Sequence, residues 1–160
     1  MSEQIIKKYI GNALVGDKQK NAADFFEYLL ASGLQFERGQ GYWADKLYWI
    51  CKHNDEYICY ILINGGEDDT EPVGWVIWMD GSGSNCFMDT IPDEHTREVA
   101  WKHIDICGNC GGCKNPGGSR KTIFGKEFDN VCTTPLRFDN PDVETVECVN
   151  RLVQRRCGLS

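Results

Sequence analysis

Between Cys107 and Cys113 the chain reads "CGNCGGC", three cysteines each two residues from the next. Thiolates bind Zn2+ in tetrahedral sets of four, and a C-x2-C turn brings two sulfurs to one ion while aiming backbone N–H groups at them. Gly108, Gly111 and Gly112 allow the positive φ angles that such tight wrapping needs. A fourth ligand must close the tetrahedron. Residues 114–131 separate this motif from Cys132, a loop length familiar from structural zinc sites. The expected metal set is therefore Cys107, Cys110, Cys113 and Cys132, with His103 as a competing fourth ligand one helical turn before Cys107. Four thiolates around one divalent ion leave a net charge of about −2, which Lys114, Arg120, Lys121 and Lys126 could offset.

Two other chemistries fit the same cysteines. C-x2-C-x2-C also opens the ferredoxin ligand run. The continuation "KNPGGSRK" holds no fourth cysteine, but a distal Cys132 could complete an iron–sulfur cluster. Alternatively a C-x2-C pair could cycle between dithiol and disulfide. That role is favoured by a helix N-terminus after the first thiol, which lowers its pKa; here a helix is expected before the motif instead. "PGGSRKT" lacks the phosphate-loop spacing. The acidic pairs Asp68-Asp69 and Asp93-Glu94 sit where turns and helix starts ordinarily place carboxylates. No nucleophile, base and acid set is recognisable, so the reading favours a binding or sensor module over an enzyme.

The whole chain bounds these readings. Its 160 residues, 41% hydrophobic and 26% charged, suit one globular domain over residues 1–160 with a real core. Nine cysteines is an odd number, and the first twenty residues lack the apolar run of a signal peptide. Reduced thiols and a cytoplasmic location are expected. The longest apolar run, "YICYILI", has strand length rather than membrane-spanning length. A net charge of −7 with no basic stripe argues against nucleic acid as a partner.

Several elements must position the cysteines. Ile5, Ile6, Tyr9, Ile10 and Leu14 fall at helical spacing, as do Ala22, Phe25, Phe26, Leu29 and Leu30 before Gly33. "KLYWICKH" and "EYICYILI" flank Asn54-Asp55, which predicts a hairpin. With a two-residue closure Cys51 faces Ile58 and Ile50 faces Cys59, so the two cysteines lie on opposite faces while Trp49 and Tyr60 share one. "VGWVIWMD" predicts a third strand and "NCFMDT" a short fourth. "DEHTREVAWKHI" predicts a helix running into Cys107, and "KTIFGKEFDNVCTTPLRF" one or two further strands. A last helix is expected with Asn140 as N-cap, Pro141 at its first position, a buried stripe of Val143, Val146, Val149, Leu152 and Val153, and Gly158 at its end. The fold class is thus α+β: an antiparallel meander of four to six strands, packed by N-terminal helices and a C-terminal helix, with a cysteine-rich metal-binding loop.

The segments "HIDICGNCGGC", "KTIFGKEFDNVC" and "FERGQGYWADKLYWICKHNDEYICYILIN" resemble those of small uncharacterised cytosolic proteins of anaerobic Gram-positive bacteria carrying a CxxCxxC loop. The resemblance implies a bacterial cytoplasmic protein and brings no activity with it. If the helices cover one sheet face, the other must be shielded by loops, by a ligand or by a second copy in a homodimer. Trp43, Trp49, Tyr60 and Trp75 are the expected lining of a pocket there for a small, partly apolar molecule.

Overall fold

The computed structural model describes residues 2–39, 47–64, 74–79, 92–106 and 118–158. The helical spacing near the N-terminus resolves into α1 (Ser2–Ala13) and α2 (Gly16–Ala31). Ile6, Ile10, Leu14, Phe25, Phe26 and Leu29 are all buried. Each is a residue that a 3.6-residue repeat puts on an inward stripe. Gly33, at φ 84°, ends the second helix, and β1 (Gln35–Arg38) follows. The meander is β2 (Leu47–His53), β3 (Glu56–Asn64) and β4 (Gly74–Met79), with α3 (Glu94–Trp101) after it. Three strands and a helix complete the described chain: β5 (Ile104–Ile106), β6 (Ser119–Ile123), β7 (Lys126–Asp139) and α4 (Val143–Arg156).

All seven described strands form one antiparallel sheet in the order β1-β2-β3-β4-β7-β5, with β6 also paired to β7. This is an α+β architecture with more strands than the four to six expected. Side chains alternate across it. Trp49, Ile61, Trp75, Ile77 and Phe138 join one cluster with the buried residues of all four helices, whereas Tyr48, Leu62, Val76 and Trp78 form a separate cluster. The helices therefore occupy one face. None of the described helices is long and apolar enough to cross a membrane.

Three local expectations are corrected. The hairpin does turn at Asn54-Asp55, both at positive φ (50° and 66°), as a primed turn requires. A bulge then inserts one extra residue: Lys52 pairs with Tyr57, but Cys51 pairs with Cys59 and Ile50 with Tyr60. Ile58 and Cys59 both enter the helix-side core, and that gain in buried apolar surface is the reason for the slip. The two cysteines are consequently cross-strand neighbours, not residues of opposite faces.

The helix after Asp93 stops at Trp101, and β5 intervenes before Cys107. Ile104 and Ile106 alternate with Asp105 and pair with β7, so tertiary pairing overrides the helical reading. Finally, the N-cap of α4 is Asp142, whose carboxylate accepts from the Thr145 N–H at 2.8 Å. Asn140 instead clasps β4: its Oδ1 accepts from the Trp75 N–H and its own N–H donates to the Trp75 carbonyl, each at 2.8 Å. Val146, Val149, Leu152 and Val153 are buried as expected; Val143 is 55% exposed.

Candidate metal centre and an adjoining groove

β7 is the element with which both described flanks of the cysteine segment pair. It runs for 14 residues and has neighbours on both edges. Leu136 pairs with Met79 of β4 and with Ile104 of β5, while Val131 pairs with Ile106 of β5 and with Ser119 of β6. A strand residue has one neighbour per edge. β5 therefore lies along one edge, and β6 and β4 follow one another along the other. Ile106 is the residue before Cys107, and Ser119 follows Gly118. Cys132 comes directly after their shared partner Val131. Gly118 sits so close to Asn130 that a Cβ there would collide with its backbone, and its N–H donates to Asn130 Oδ1 at 3.1 Å. Alternation points the half-buried Cys132 side chain away from the helix-side core that Val131 joins.

Cys107, Cys110 and Cys113 lie outside the described residues, as do Lys114, the acidic pair Asp68-Asp69 and the strand expected at "NCFMDT". Among the described residues no three His, Cys, Asp or Glu side chains are gathered to hold a metal. His103 packs on Phe138, ring centres 4.8 Å apart, with Nδ1 at 2.8 Å from the Val99 carbonyl. Because a carbonyl only accepts, Nδ1 carries the proton. This position is on the helix side, opposite that of Cys132. The basic residues expected to offset thiolate charge are partly committed elsewhere. Arg120 meets Glu127 and Asp129, and Lys126 stands 5.3 Å over the Trp101 ring.

The remaining described cysteines are packed. Burial pushes the Cys51 thiol well above its ordinary range, with the Cys59 sulfur beside it adding to the effect. Burial likewise raises Cys148, and it lifts Cys157 to about 11, with Cys59 a further contributor. Thiols held protonated in this way are poor nucleophiles and poor ligands near neutral pH.

The four aromatic residues expected to line one pocket are not brought together. Trp49 and Trp75 are buried beneath the helices, against Tyr9 (5.5 Å between ring centres) and Phe25 (6.0 Å). Tyr60 packs with the cluster on the opposite face, because the bulge moves it opposite Ile50. Trp43 lies outside the described residues.

Sequence reasoning missed a groove of about 290 Å3 between β5 and the C-terminal half of β7, lined by Lys102, His103, Ile104, Asp105, Arg137 and Asp139. Two signals pointed to it. Asp105 is a lone carboxylate between two isoleucines, and Arg137 and Asp139 share one face of a strand. Comparison with protein-family models, curated proteins and solved structures finds no match to this chain.

Proposed function

We propose that the chain is a metal-binding protein in which Cys107, Cys110, Cys113 and Cys132 hold a single zinc ion of structural role. What carries the reading is the convergence at Val131. The segment bearing three cysteines leaves β5 at Ile106 and returns at Gly118, and both ends are secured beside the residue that precedes the fourth cysteine. Adjacent strands are about 4.8 Å apart, so the two ends stand about 10 Å from each other across β7. A chain advancing about 3.8 Å per Cα step has ample length between them to bring three thiolates to Cys132. β5 is three residues long and irregular in register. A metal clip at its end would add binding free energy that few apolar contacts there supply.

Elemental analysis of protein purified without chelator is the test. One zinc per chain, colourless protein and loss of the metal in Cys132→Ser are expected. A folded, metal-free wild-type sample would overturn the proposal. So would a brown protein with visible charge-transfer absorption, which would reassign the cysteines to an iron–sulfur cluster. Rapid reversible disulfide formation among Cys107, Cys110 and Cys113 in the purified protein would make it a thiol redox protein instead.

A further inference from the structure

The groove beside β5 contains a carboxylate and a guanidinium held in fixed positions by one indole. Asp105 is only 3% exposed, and its Oδ2 accepts from Trp78 Nε1 at 3.0 Å. Among the described residues no donor meets Oδ1. A carboxylate has about four acceptor sites, and a buried one needs a charged partner to offset its lost hydration. Arg137 is fixed three ways. Its backbone N–H donates to the His103 carbonyl at 2.9 Å, its Nε donates to Asp139 Oδ1 at 3.0 Å, and its guanidinium carbon lies 4.9 Å from the Trp78 ring centre. Its two terminal nitrogens make no hydrogen bond among the described residues. An arginine immobilised through Nε and a stacked face presents that fork already oriented, so little rotamer entropy is lost on binding a carboxylate.

The two groups ask for opposite charges. A simple anion would meet the Arg137 fork but would lie beside the Asp105 carboxylate. A simple cation would meet Asp105 but would lie beside Arg137 and Lys102. Asp139 is already paired with Arg137, so a metal ion would find too few carboxylates here. We propose that this groove binds a small zwitterion of the amino-acid class, its ammonium group on Asp105 and its carboxylate on Arg137. Trp78 sets the spacing, with its N–H edge on the first group and its ring face under the second. Nothing in this assignment depends on the metal.

Nitrogen-15-labelled full-length protein offers a direct readout, because an ammonium group at Asp105 shifts the Trp78 indole N–H signal. Each of the L-amino acids, acetate, methylammonium and inorganic phosphate is titrated in turn. At least one amino acid should give a saturable shift of that signal. Acetate and methylammonium should each need at least tenfold higher concentration, and phosphate should give none. Asp105→Asn and Arg137→Gln should each weaken amino-acid binding at least tenfold in folded protein. The proposal is overturned if no amino acid saturates, if acetate binds as tightly as the best amino acid, or if folded Asp105→Asn binds unchanged. The comparison among probes uses the wild-type chain, so it stands even if a variant fails to fold.

Discussion

At the level of single residues, burial rather than charge governs the thiols. Cys157 follows the last residue of α4 and lies next to Cys59, and its thiol is pushed up to about 11 from an ordinary 9.0. Between those values the unfolded chain has lost the proton while the folded chain keeps it. The folded state therefore binds more protons, and stability falls as pH rises. This contribution is fully present below about pH 9 and is lost by about pH 11. Denaturant melts across that window should show a declining alkaline limb that Cys157→Ala flattens; an unchanged slope in the variant would remove Cys157 from the account. Asn140 makes a second residue-scale case. Its side chain satisfies the Trp75 N–H at a backbone position of φ 44°. Asn140→Ala should cost about 1–3 kcal/mol in denaturant titration, the penalty for leaving a partly buried donor unmet. An effect under about 0.5 kcal/mol, the ordinary surface value, would show that water replaces the side chain.

Elements meet through a few such clasps. The C-terminal end of α4 is tied to the β2–β3 hairpin by Arg156, which is 1% exposed and donates to Glu56 at 3.0 Å and to the Tyr57 carbonyl at 3.2 Å. Glu56 is the wetter partner, its side chain 37% exposed. Removing a buried ion's partner costs about 3–5 kcal/mol, whereas replacing the buried ion itself by an apolar side chain of similar volume is far milder. Glu56→Gln should accordingly lower stability more than Arg156→Met, both read by chemical denaturation. The reverse order would mean that the guanidinium is held chiefly by the backbone carbonyl. Much of this architecture was legible in the sequence. Helical spacing marked α1, α2 and α4, and Asn54-Asp55 marked the hairpin turn. The bulge at Ile58 was not legible, because a single inserted residue leaves no mark on the local pattern. It is selected by what the helices place above the strand, and it separates Trp49 from Tyr60.

For the whole molecule, the sheet has two parts of different character. The β2–β3–β4 meander is paired along most of its length, with one bulge beside the hairpin turn, and is buried on its helix face by large apolar side chains. β5 has three residues and an interrupted register. If zinc clips the cysteine segment beside Cys132, chelation should strip amide protection first from Ile104–Ile106 and from Ser119, while β3 and β4 stay protected. Hydrogen exchange before and after chelator makes the comparison, and uniform loss across the sheet would show that the metal supports the entire fold instead.

The sequence by itself determined what is local: helical stripes, turn residues, the composition of a folded α+β chain, and three cysteines at metal-ligand spacing followed by a fourth. These follow from side-chain periodicity and from backbone preferences that act over a few residues. Only the tertiary structure decided the order of the sheet, which sets Ile106 and Ser119 on opposite edges of Val131 and so brackets Cys132 with both ends of the cysteine segment. It also decided that Asp105 and Arg137, far apart in the chain, line one groove and both meet Trp78. Such pairings depend on which distant strands win the ladder and which face the helices cover, and those choices are made by burial of the whole core rather than by any short stretch of residues.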